Sequence, residues 1–140
     1  MLDAKDWKHV AAIGKTSYSD QQVSSAWFAD NRRLISTNWA KDEIHLLEVG
    51  KATPVATLNA GGGRPRCVAL HPSEEWFAVC GEAMPVQIWH LPTSRIIKSW
   101  QLGPPEGLVS QVAFSPGGHY LATLNGNGTV YILSLDGVIE

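Results

Sequence analysis

Five histidines, two cysteines, six tryptophans and two pairs of neighbouring carboxylates are the residues of this 140-residue chain with chemistry to offer. His9, His45, His71, His90 and His119 show no metal-ligand spacing with Cys, Asp or Glu. A structural zinc needs four such ligands and a catalytic one three, so no metal site is expected. Gly61-Gly-Gly-Arg-Pro65 is glycine-rich but lacks the Lys-Ser/Thr that completes a phosphate-binding loop, and reads as a flexible connection. Asp42-Glu43 and Glu74-Glu75 adjoin in turn-like sequence. Residues adjacent in sequence do not make an acid–base pair across a substrate, and solvated turn charge is the expectation. No Gly-x-Ser-x-Gly nucleophile elbow occurs. The reading is a chain with no catalytic residue, no cofactor and no metal: not an enzyme. Cys67 and Cys80 fall on adjacent strands of one expected hairpin. Two cysteines make no disulfide framework, and they read as buried free thiols in a reducing compartment.

The elements that hold these residues repeat. Val23–Phe28, Leu34–Thr37 and Ile44–Leu47 align without a gap onto Pro65–Leu70, Trp76–Val79 and Val86–Trp89, and again onto Val109–Phe114, Tyr120–Thr123 and Val130–Leu133. Phe28, Leu70 and Phe114 are spaced 42 and 44 apart (70−28, 114−70). A period near 40 with several short strands per repeat is the signature of propeller blades. Each strand is short, rich in Val, Ile, Leu, Phe, Trp and Thr, and bounded by turn residues. Asp30-Asn31, Pro72-Ser73 and Pro116-Gly117-Gly118 fall at the same point of each repeat, where proline presets a turn and Gly or Asn tolerates positive φ. Fourth strands are placed at Pro54–Leu58 and Ile96–Leu102, with crossovers at 60–63 and 103–107.

The expected architecture is all-β: about three four-stranded antiparallel blades over residues 1–140. Blade 1 covers 22–58 and blade 2 covers 65–102; three strands of blade 3 cover 108–135. A lone outer strand at 7–13 precedes them. The strand count of one, four, four and three implies either a partial propeller or half of a dimeric six-blade ring, in which each chain's first strand completes the other's last blade.

The third repeat, Val112-Ala-Phe-Ser-Pro-Gly-Gly118 through Tyr120-Leu-Ala-Thr123 to Gly128-Thr-Val-Tyr-Ile-Leu133, resembles a WD40 repeat. The second, ending Val86-Gln-Ile-Trp89-His90, resembles one too. The ending Asn125–Leu133 is similar to the C-terminal WD40 part of bacterial multidomain proteins, some with an upstream kinase. The family's Trp-Asp pair survives only as Trp89-His90, its Gly-His pair is missing, and the Asp of its turn is replaced by Lys41, Ala83 and Asn127. The family's Asp-His-Ser/Thr-Trp hydrogen-bond network is therefore not expected, and the blades should rest on apolar packing and backbone ladders. Where the later repeats have Val68-Ala69 and Val112-Ala113, the first has Ala26-Trp27, which moves bulk to the other face of that blade.

The resemblance implies a non-enzymatic scaffold that binds a protein partner. Trp27, Trp76, Trp89 and Trp100 lie in strands and read as packing. Trp39 lies in a loop between second and third strands. With the crossovers, such loops make one face of a propeller, where Trp39, Arg64, Arg66, Glu82 and Met84 are the candidate partner-binding residues; Trp and Arg are favoured at interface hot spots. Two other readings fit the same pattern: a C-terminal remnant of a larger regulatory protein, and a propeller that stacks a small ligand or carbohydrate on its tryptophans. The net charge of −2, with signs interspersed, offers no basic stripe for nucleic acid. No apolar run is long enough for a membrane-spanning helix. A bacterial, cytoplasmic protein is expected.

Overall fold

The computed structural model describes residues 22–102 and 107–139. The lone strand expected at 7–13 lies outside the described residues, as do positions 103–106 of the second crossover. Eleven strands are described: β1 (Gln22–Trp27), β2 (Arg33–Asn38), β3 (Glu43–Glu48), β4 (Ala56–Asn59), β5 (Arg64–Leu70), β6 (Trp76–Glu82), β7 (Val86–His90), β8 (Arg95–Trp100), β9 (Val109–Phe114), β10 (Tyr120–Asn125) and β11 (Val130–Ser134). They form three antiparallel sheets with orders β1-β2-β3-β4, β5-β6-β7-β8 and β9-β10-β11. The all-β expectation holds, and each sheet is a meander of the WD40 blade kind.

Successive strands pair because the turns between them are tight. The first turn of each sheet passes through the left-handed region at Asn31, Glu74 and Gly118. Asn and Gly reach that region readily, Glu rarely. Glu74 has a compensating contact: its carboxylate accepts a hydrogen bond from the backbone N–H of Ala29 in the first sheet at 3.1 Å.

The sheets pack in sequence, β1 against β5 and β5 against β9. Strand alternation sorts the middle sheet's side chains into two cores. Phe77 and Val79 face Phe28, Ile35 and Ile44 of the first sheet. Ala78, Cys80 and Ile88 face Val109, Val112 and Leu121 of the third. With both faces covered, β6 and β7 are buried almost throughout. Their sequences accordingly read as apolar runs rather than clean alternation. The expected exchange of bulk between faces in the first sheet is not there: Ala26 pairs with Ile35 as Ala69 pairs with Ala78 and Ala113 with Ala122, so Trp27 stands where Leu70 and Phe114 stand, one residue off the ungapped alignment, and is 57% exposed.

Beside the apolar cores, each sheet carries a polar side-chain network of its own. On the face of the first sheet turned from the second, Ser36 Oγ donates to Gln22 Oε1 at 2.6 Å, and Gln22 Nε2 meets His45 Nδ1 at 2.8 Å. The other ring nitrogen of His45 meets Glu43 Oε2 at 2.7 Å. At the equivalent position of the second sheet, Gln87 accepts from Trp89 Nε1 at 2.9 Å and donates to the Ala60 carbonyl at 2.9 Å. In the third, Thr123 Oγ1 donates to Asn125 Oδ1 at 3.1 Å, and Asn125 Nδ2 donates to Thr129 Oγ1 at 3.0 Å. Buried polar groups must be paired. These bonds pair most of the buried polar side chains in combinations that differ from the family's Asp-His-Ser/Thr-Trp set, while Thr37 Oγ1 of the first sheet is left without a partner.

Candidate functional site: the loop end between the first two sheets

Three loops meet at one end of the sheets: β2–β3 (39–42), the β4–β5 crossover (60–63) and β6–β7 (83–85). The β2–β3 turn reaches positive φ at Asp42 and is tied to the crossover. Ala60 N donates to the Asp42 carbonyl at 2.9 Å. Gly62 N donates to Asp42 Oδ2 through a short hydrogen bond, and Gly61 N donates to Asn59 Oδ1 at 2.7 Å. Burial raises the Asp42 carboxyl above its usual range, with Glu43 adding to the rise and the Gly62 N–H opposing it.

The crossover delivers the chain into β5, where a bulge sets the next residues. Arg64 pairs with Glu82, Pro65 with Gly81 and Cys67 with Cys80, leaving Arg66 as the extra residue. A bulge bends its strand and re-aims side chains. Here it brings both arginines to one carboxylate: Arg66 Nη1 donates to Glu82 Oε1 at 2.7 Å, and Arg64 Nη1 lies 4.0 Å from Glu82 Oε2. The Arg64 guanidinium also sits 4.7 Å over the Trp39 ring. A cation held over an indole face is attracted by the ring quadrupole. This contact joins the first sheet's loop to the second sheet's first strand.

The structure therefore brings four of the five candidate residues together: Trp39 with Arg64, and Arg64 and Arg66 with Glu82. Met84 differs. It is 4% exposed and belongs to the core between the first two sheets. A Cβ on Gly63 would lie 2.3 Å from the Met84 Cβ, so Met84 packs beneath the crossover rather than on the surface. Its neighbour Ala83, at positive φ, is the exposed residue of that loop. Two polar atoms of this end are buried without partners: Trp39 Nε1 and Asp42 Oδ1.

A second feature lies where the second and third sheets meet at this end, and no sequence signal marked it. Among the described residues, Leu102, Leu108, Asn125, Gly126 and Tyr131 line an open cavity of about 320 Å³. Gly126 N donates to the Leu108 carbonyl at 2.8 Å on its rim.

Among the described residues no group of three His, Cys, Asp or Glu is placed to hold a metal ion. No described helix is long and apolar enough to cross a membrane.

No curated protein matches the chain. Residues 95–134 match the family model described as WD domain, G-beta repeat. That stretch runs from β8, the outer strand of the second sheet, through the crossover to β11 at the edge of the third. WD40 domains are in general non-catalytic protein-interaction modules, and residues 95–134 of this chain match one such repeat.

Proposed function

We propose that the protein is a non-enzymatic WD40-type scaffold whose loop end binds a protein partner. Trp39, Arg64, Arg66 and Glu82 make the contact, and Met84 packs beneath them. The observation that carries this reading is the Arg64–Trp39 pair spanning two sheets, with the indole N–H buried and unpartnered beside it. An aromatic and an arginine already held in place lose little side-chain freedom on binding, which favours affinity. We place the protein in the cytoplasm, because its free thiols suit a reducing compartment.

The test is paired affinity capture with the wild-type chain and Trp39→Ala, quantified by mass spectrometry. The expected result is a protein retained by the wild type and lost by the variant, with circular dichroism and thermal midpoint little changed. Identical captured sets would remove Trp39 from the site.

A specific observation favours a second reading, in which this arc of sheets packs against further blades of the WD40 kind. Tyr120, Leu124, Val130 and Ile132 are 51, 40, 59 and 63% exposed, and the cross-strand pairs Leu124–Val130 and Ala122–Ile132 place them on one face of the third sheet. Apolar residues clustered like this mark interaction surfaces. A second copy of the chain is the simplest supplier of such blades. Light scattering after size exclusion then gives a sharp species of twice 15.2 kDa; a stable monomer would refute the dimer.

A further inference from the structure

Cys67 and Cys80 are directly opposed across the β5–β6 ladder. Opposed residues of an antiparallel pair have Cα atoms about 4.5–5.5 Å apart, inside the roughly 4.4–6.8 Å that a disulfide bridges. Side chains of opposed residues project to the same face of the sheet. Both thiols accordingly turn toward the core between the second and third sheets, where Cys80 is fully buried and Cys67 is partly so.

The two are chemically unequal. The opposed Cys80 thiol, placed to donate toward the Cys67 sulfur, draws the Cys67 thiol below its ordinary range. Burial opposes that shift, while hydrogen bonds from the Val112 backbone and the Ser24 side chain add to it. The same contact, together with burial, pushes Cys80 up. The accessible member is thus the one with thiolate character, and the thiolate is the nucleophile in exchange.

We propose that Cys67 and Cys80 are a dithiol–disulfide pair, with Cys67 attacking an external disulfide of the glutathione class and Cys80 resolving the product. In the first step the Cys67 sulfur bonds to one sulfur of the external disulfide. That S–S bond breaks, and one glutathione thiolate leaves with the electron pair. In the second step Cys80 gives its proton to that thiolate, attacks the Cys67 sulfur and expels the second glutathione as a thiolate, which takes from solvent the proton that Cys67 released on ionising. Two protein thiols are oxidised and one external disulfide is reduced to two thiols. The new bond closes immediately beside the bulge that carries Arg66, with Cys80 two residues before Glu82. The proposal concerns the β5–β6 hairpin alone and does not depend on the partner-binding reading.

The test equilibrates the native chain in buffers of reduced and oxidised glutathione over a range of ratios, with acid quenching, alkylation and intact mass. The expected product has lost two hydrogens and regains them in excess reduced glutathione. Cleavage at Glu74 and Glu75 leaves Cys67 and Cys80 on separate peptides, which stay joined only through the disulfide. Cys80→Ser is expected to stop with one glutathionyl group on Cys67, and Cys67→Ser to take up none while folded. Three results on the wild-type chain would overturn the proposal: a persistent mixed disulfide on Cys67 without loss of two hydrogens, thiols that react only in denaturant, or disulfides between chains.

Discussion

Gly81 is the position where a single added carbon should do most damage to the candidate site. It is buried in β6, opposite Pro65 at the bulge. A Cβ there would lie 1.9 Å from the Arg64 carbonyl oxygen, 2.8 Å from its carbon and 2.9 Å from the Pro65 Cα. All three obstacles are backbone, so no rotamer change relieves them. Favourable carbon contacts lie at about 3.5–4.0 Å, so the start of β5 must withdraw by well over an ångström. That withdrawal breaks the Arg64–Glu82 and Pro65–Gly81 pairings. Overpacking costs about 1–3 kcal/mol, and a clash between two main chains belongs at the top, about 3 kcal/mol. Against a total stability of roughly 5–15 kcal/mol, such a loss is readily measured. Urea unfolding followed by tryptophan fluorescence, with the slope checked for equality, gives the number. Gly128→Ala is the control: φ is +87° there and nothing lies within 4 Å of a Cβ, so only backbone strain of roughly 1–2 kcal/mol applies. The expected order is Gly81→Ala more destabilising than Gly128→Ala, with weaker partner capture for the former alone. The reverse order would mean that β5 has room at the bulge and does not fix Arg64.

Thr37 and Thr123 are both fully buried strand threonines, yet Thr37 Oγ1 has no partner whereas Thr123 donates to Asn125. Thr→Val is therefore expected to stabilise by about 1 kcal/mol at Thr37 and to destabilise by about 1 kcal/mol at Thr123; chemical denaturation checks both signs. A Cβ on Gly118 would lie 2.3 Å from His71 Nε2, which bonds the Gly118 carbonyl at 3.0 Å. Gly118→Ala and His71→Ala together should cost less than their sum by about 1 kcal/mol in a double-mutant cycle, since removing the ring removes the clash. The Asp30 carboxyl is held down at about 2, first by the Arg32 N–H, then by the Arg33 guanidinium and N–H. An unfolded Asp titrates near 3.9, about two units higher, so its contribution is present above pH ~4 and is lost as pH falls through ~2. Asp30→Ala should be less stable than wild type at neutral pH, with the gap closing over that window in thermal melts.

The strands were legible because their signal is local. Val109–Phe114 was placed residue for residue, and the other strand ends moved by only a few positions. The largest change was β6, which continues past Val79 through Cys80 and Gly81 to Glu82, because Gly81 tolerates the close approach of β5. Bulges were not legible, since an extra residue leaves no compositional trace. Each sheet has a register shift in its first strand pair, and in the middle sheet that shift determines where Arg64 and Arg66 point. Blade topology places Trp39, Arg64, Arg66 and Glu82 at the loop end of the sheets, where Trp39 lies in the β2–β3 turn and the other three in the adjoining ends of β5 and β6. Met84 failed because a loop residue opposite a glycine crossover can turn inward, and only three-dimensional packing reveals it. The partnered polar atoms of His45 and Gln87 were likewise invisible: their types are unremarkable until the fold brings Gln22 of β1 to His45 and the Ala60 carbonyl of the crossover to Gln87.

The matched repeat and the sheets are out of phase, and that offset bears on how the loop end stays rigid. Residues 95–134 take one outer strand from the middle sheet and all three described strands of the next. A repeat of this kind cannot complete a sheet alone, so every crossover must be held by two neighbours at once. The contacts around the crossovers follow that logic. The first is tied by Asp42 below and by the Arg64–Trp39 stack above. At the second, Glu82 bridges to Leu108 and Ala83 N donates to the Gly107 carbonyl at 3.3 Å. Glu82 therefore serves both junctions: its backbone pairs toward the third sheet while its carboxylate gathers the two arginines at the first. Loosening the third sheet should thus be felt at Arg64 through Glu82, even though no residue of the third sheet is among the candidate contact residues.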